Sequence, residues 1–275
     1  MGENYVKIRR WGLAGLVATS LLLPALAACK TDGTDPGAVE VAAPAIPADA
    51  KEALLASTKE IGEGNFRFAM TGADLTGEGS VHLASRSAQM TMKAGDADLG
   101  LSMNMELIYI EPDSWVKVDI SGAEGVRGME KLNTDKYQHL DQSKIEGSKD
   151  LSFSFDDVDP AGSELLTKAI VDVQKTGEGA YSGTIDLSKA TDAGMVDKES
   201  VKALGAEASK LPFEAKLDEQ GRLSSLTIEM PAAGESKAHE LTVTYSGYGA
   251  ASPAKKPAAS DVVEAPAETY EMFGN

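Results

Sequence analysis

From Asn65 onward the chain alternates apolar and polar residues over one segment after another. In residues 65–71, Phe66, Phe68 and Met70 share a face, with Asn65, Arg67 and Ala69 opposite. Residues 74–85 read as a turn followed by a strand with Val81 and Leu83 on one side. Met90 and Met92 fall together, and the longest run aligns Leu99, Leu101, Met103, Met105, Leu107 and Tyr109. Val116, Val118 and Ile120 repeat the pattern. A period of two is the signature of a strand with one buried face.

Residues 171–188 read as a hairpin turned at Gly177-Glu178-Gly179. Residues 211–231 read as another, with Phe213, Ala215 and Leu217 facing Leu226, Ile228 and Met230 across a turn at Asp218–Gly221. Leu241, Val243 and Tyr245 form a last strand. The three Gly-Glu-Gly triplets (62–64, 77–79 and 177–179) are expected to be turns that bracket strands.

Helical signals sit at the start and in the middle. Asp49 with Glu52 three residues later fits a capping box, Leu54, Leu55, Thr58 and Ile61 make one stripe, and Gly62 ends it. Asp159-Pro160 has the form of a cap followed by proline in the first turn. Residues 125–142 read as a short irregular helix, and 191–209 also read as helical. About 10–11 strands with helices inserted give an α+β fold: a large curved antiparallel sheet partly covered by helices.

The first 28 residues have a different pattern. Lys7, Arg9 and Arg10 precede an uncharged stretch from Trp11 to Ala28, and Leu26-Ala27-Ala28 leads into Cys29. As a helix that stretch would reach about 27 Å, marginal for a permanent span, so length does not separate anchor from export signal. The junction does. It resembles the lipobox of bacterial lipoproteins, in which the cysteine thiol is acylated before the signal is removed. The expected organisation is a signal peptide over 1–28, lipidated Cys29 with an Ala/Pro/Gly-rich tether to 48, a folded domain over 49–249, and a loosely packed Ala/Pro-rich tail over 250–275.

Composition narrows the chemistry. The formal net charge of −17 argues against nucleic acid as a partner, because phosphate neutralisation needs a basic face. Residues 1–28 are net positive, so the remainder is more acidic still. Anionic headgroups would repel it, and a domain held only by acyl chains would stand off the membrane on its tether. One cysteine excludes a disulfide framework and a multi-cysteine metal site.

His82, His139 and His239 are isolated from one another. The acidic stretch Asp156, Asp157, Asp159 and Glu164 lacks the spacing of a calcium loop. No nucleophile elbow, P-loop or dinucleotide fingerprint occurs, so a non-enzyme without cofactor or metal is expected.

In order and local phrasing the chain resembles the LppX/LprG-type lipoproteins of actinobacteria, which share the LolA-like half-barrel fold. The segments that carry the resemblance are the lipobox with its tether, FRFAMTG (66–72), SWVKVDIS (114–121), DPAGSELL (159–166), YSGTIDLSKA (181–190), LPFEAKLDEQGRL (211–223) and YSGYG (245–249). The resemblance implies a half-barrel around an apolar cavity that binds acyl chains or acylated glycolipids. It also implies lipid transport across the cell envelope from the outer face of the cell membrane.

The residues expected to line that cavity are Phe66, Phe68, Met70, Met90, Met92, Leu101, Met103 and Met105, with Tyr109 and Trp115 nearer a rim. The methionines suit a cavity that repacks around varied chains. The competing expectation is a filled half-barrel that docks an envelope protein, as an interaction or sensor module.

Overall fold

The computed structural model describes residues 46–96, 100–122, 135–145, 148, 151–193, 195–196, 198–234 and 236–273. Cys29, the signal and the tether before Ile46 lie outside these residues, as do Leu99 and residues 125–134 of the segment read as helix.

Twelve strands form a single open, curved sheet. They are β1 (Asn65–Thr71), β2 (Leu75–His82), β3 (Ser87–Asp96), β4 (Leu101–Ile110), β5 (Asp113–Ser121), β6 (Tyr137–Leu140), β7 (Ile170–Gly177), β8 (Ala180–Ile185), β9 (Leu211–Leu217), β10 (Leu223–Met230), β11 (His239–Ser246) and β12 (Val262–Glu264). Their order is β12-β6-β5-β4-β3-β2-β1-β11-β10-β9-β8-β7. Neighbours pair antiparallel except β12 with β6, which is parallel. The fold is α+β, as the alternation predicts, and β1 meets β11 in the interior of the sheet.

The register explains why one face is apolar throughout. Tyr245, Phe68, Gly79, Met90, Leu107 and Val116 pair in succession across β11, β1, β2, β3, β4 and β5. The same face continues through Leu226, Ala215 and Tyr181 on the other side of β11. Because side chains alternate, one correct pairing aligns every other inward residue of each strand pair.

The short helices are α1 (Ala50–Ser57), α2 (Lys59–Gly62), α3 (Gln142–Ile145), α4 (Ser163–Lys168), α5 (Lys198–Leu204) and α6 (Ala267–Phe273). The Asp49 carboxylate accepts the Glu52 amide at 2.9 Å, the expected cap of α1. α1 lies against α4 and β7, where Lys51 donates to the Ile170 carbonyl at 2.9 Å. α4 starts later than the Asp-Pro signal predicts. Gly162 turns the chain at φ 69° and Asp159 reaches forward to accept the Glu164 amide at 2.8 Å.

Three further sequence expectations are corrected. Gly77-Glu78-Gly79 is not a turn but the middle of β2, because both glycines face the apolar side and leave room for Met70 and Phe68. Within the segment read as helix, residues 137–140 form β6. Its inward residues are Gln138 and Leu140, and the polar glutamine conceals the alternation.

The tail is not loosely packed. The Ala251 amide donates to Asn65 Oδ1 at 2.9 Å and the Ala254 amide to Ser87 Oγ at 3.0 Å. β12 then caps the edge of β6, Thr269 bonds buried Gln138, and the Asp141 amide donates to Tyr270 Oη at 2.9 Å. Residues 251–273 are a strap around one side of the sheet.

Candidate functional site

The residues expected to line a cavity separate into three groups. Phe66, Phe68, Met70, Met105 and Tyr109 share the apolar face and are buried in the core. Met90, Met92 and Met103 lie on that face half-buried, and Leu101 is exposed at its end. Tyr109 is covered by the segment after α3, its ring 5.3 Å from Phe153, which is 4.9 Å from Phe155.

Trp115 is the exception and corrects the sequence expectation. It pairs with Ile108 and His139, on the face opposite Tyr109. Its burial comes from the other side: the His139 ring stands 5.7 Å away and the Lys256 ammonium of the strap 5.1 Å above it. Trp115 therefore anchors the strap and lines no part of the apolar face.

The main apolar opening lies elsewhere, at the ends of β9, β10 and β11. There Leu211, Pro212, Met230, Pro231 and Ala238 face Ala206 across a groove of about 820 Å³. Glu207, Glu229 and Glu240 stand on its rim with Lys210 and His239. A smaller opening of about 230 Å³ shares Met230, Pro231 and His239 and runs along α5 past Ala203 and Leu204.

Beyond Met230 the same sheet face continues through Ile228 and Leu241 to Leu226 and Val243. Leu166, Met195 and Val196 close over this stretch. The crevice between them is apolar and too narrow for a water molecule. The groove and the crevice share no lining residue: Leu211 and Met230 belong to the inner face, whereas Pro212, Glu229 and Glu240 of the groove project from the opposite face of the sheet.

The sequence did carry a signal for this place. Met230-Pro231 ends the clearest hairpin, and a proline there removes a ladder donor and stops the strand with an apolar residue at its tip. What it could not show is that α5 and the turn after it leave this tip uncovered.

The nearest approach to a nucleophile cluster is structural. Ser163 Oγ lies 2.8 Å from Tyr245 Oη, which donates to Asp159 Oδ1 at 3.4 Å. Ser163 is fully buried, and burial pushes Asp159 above the ordinary carboxylate range and Tyr245 well above the ordinary phenol value. The cluster ties α4 to β11. Among the described residues no group of three or more His, Cys, Asp or Glu is placed to hold a metal ion, and no helix is long and apolar enough to cross a membrane.

Comparison with protein-family models and with curated proteins finds no match.

Proposed function

We propose that this protein is an exported lipoprotein, held at the outer face of the membrane through acylated Cys29, that shelters the acyl chains of a lipid and carries them through the envelope. The observation that carries this reading is the open groove at Met230 together with the shut, wholly apolar crevice under Leu166 and Met195. A groove of about 820 Å³ is within the range of pockets that bury small ligands. Each methylene transferred from water into it contributes about 0.8 kcal/mol.

The shut crevice fits an unloaded state. Its walls are leucine, methionine, isoleucine and valine, whose side chains can part around a chain without leaving a polar group unpaired. The resemblance to LppX/LprG-type lipoproteins points the same way. Both hollows differ in place from the cavity expected, lying at β9 to β11 rather than β1 to β5.

The test is native mass spectrometry of the full protein purified from its host without detergent, followed by titration with a fluorescent fatty acid. A bound acylated lipid is expected. Ala206→Trp and Ala238→Trp place rings in the groove from exposed positions, so they should leave folding intact and weaken fatty-acid binding by about tenfold. A bare mass together with no fatty-acid uptake overturns the reading. That result would favour a protein-docking module, for which the tightly filled crevice is the supporting observation.

A further inference from the structure

The polar face of the sheet has a concavity of its own. It crosses β11, β1, β2, β3 and β4 as a trough of about 490 Å³ and continues into a second hollow of about 270 Å³ that shares Ala69, Glu78 and Thr91. Two cross-strand rows build it. One reads Ser246, Arg67, Ser80, Gln89 and Ile108, and the other Thr244, Ala69, Glu78, Thr91 and Glu106.

Long and short side chains alternate along each row. The floor is set by Ala69, Ser80 and Thr91, while Arg67, Glu78 and Gln89 rise to solvent between them. With strands about 4.8 Å apart, the trough runs roughly 19 Å across the sheet.

The polar groups here are unspent. Arg67, Ser80, Glu78, Gln89 and Thr91 make no side-chain hydrogen bond or ion pair within the described residues. The face presents hydroxyls, an amide and a guanidinium beside the carboxylates of Glu78 and Glu106, the latter directly across from Lys117.

At the far end an aromatic ring is fixed in place. Tyr137 donates to Glu106 Oε2 at 2.7 Å, and the Lys117 ammonium stands 5.9 Å from the ring centre. Burial and this carboxylate push the Tyr137 hydroxyl up to about 12, so it remains a donor. Arg67, Lys93 and Lys117 stand against Glu78 and Glu106, which leaves the trough within about one charge of neutral in a chain of net charge −17.

We infer that this trough binds a neutral oligosaccharide. Such a ligand is both donor and acceptor at each hydroxyl and matches the mixed serine, threonine, glutamine, arginine and glutamate groups. Its apolar ring faces suit the half-buried Tyr137. A polyanion would meet Glu78 and Glu106, and a polycation Arg67 and Lys117, so the charge pattern selects against both. Because the groups lie on paired strands, little ordering accompanies binding. The site shares no lining residue with the groove or the crevice and stands independently of them.

Linear neutral hexasaccharides of glucose, mannose and galactose, added to the full protein, provide the test by saturation-transfer NMR and calorimetry. At least one should bind, with affinity nearly unchanged by added salt. Gln89→Ala and Thr91→Leu, which removes a hydroxyl and raises the floor, should each weaken binding by about tenfold while fatty-acid uptake stays as in wild type. Failure of all three sugars to bind overturns the inference, as does binding that disappears in salt or is untouched by both substitutions.

Discussion

The ring of Phe68 lies directly across Gly79. A Cβ added to Gly79 would stand 2.7 Å from Phe68 Cζ and 2.5 Å from the Gln89 carbonyl oxygen. Two residues along the strand the relation repeats, with Gly77 leaving 2.9 Å between its missing Cβ and Met70 Cγ. β2 is thin on its apolar face so that two large side chains of β1 can lie over it.

Gly79→Ala should therefore destabilise the fold by about 1–3 kcal/mol, the usual cost of overpacking a dense core. Backbone propensity alone predicts the reverse sign, since alanine in a strand interior is favoured over glycine. The urea midpoint decides between them. An unchanged or higher midpoint would mean that Phe68 is free to move aside.

Asp159 should make stability depend on pH. Burial raises its pKa above the ordinary 3.8, outweighing the hydrogen bonds that lower it. The folded state then holds this proton more tightly than the unfolded chain. Its contribution is complete below the ordinary value and is lost as pH rises through the raised one. Asp159→Asn keeps an acceptor for the Glu164 amide and has no proton to lose. Relative to this variant, wild type should lose stability with rising pH across the acid range and then level off. Parallel unfolding midpoints at every pH would remove Asp159 from the account.

The strap should be readable through Trp115. In the full chain carrying Trp11→Phe, Trp115 is the one remaining indole. Ending that chain after Gly249 removes Lys256 from above the ring and β12 from the edge of β6. Emission should shift to longer wavelength as water reaches the indole, and the bare β6 edge should promote association. An unshifted spectrum would show that His139 and the sheet bury Trp115 without the strap.

Where burial alone determined the pattern, the sequence was easy to read. The alternation in residues 65–71, 101–110 and 211–230 predicts strands and their inward faces, and nine of the ten expected cavity residues do share one face. β6 was hidden because Gln138, an inward residue, is polar and satisfied by contacts that no local pattern reveals, Thr269 among them. β12 was hidden because a three-residue strand in an Ala/Pro-rich context depends on its partner, not on its own period. Trp115 differs for a related reason: its amphipathic ring suits a cavity rim, whereas its position beside Val116 puts it on the other face. The groove at Met230 depends on what the neighbouring helix leaves uncovered, which is a tertiary property.

The strand order also bears on how the chain assembles. β1 to β6 and β7 to β11 are each series of consecutive strands that pair with the next along the chain. Phe68 and Tyr245, which join the two series, come from opposite ends of the domain. Each series can zip from local turns, while the seam between them must await one long loop closure, and such contacts are slow to form. Until the last strand is available, β1 keeps a bare edge beside its most apolar residues.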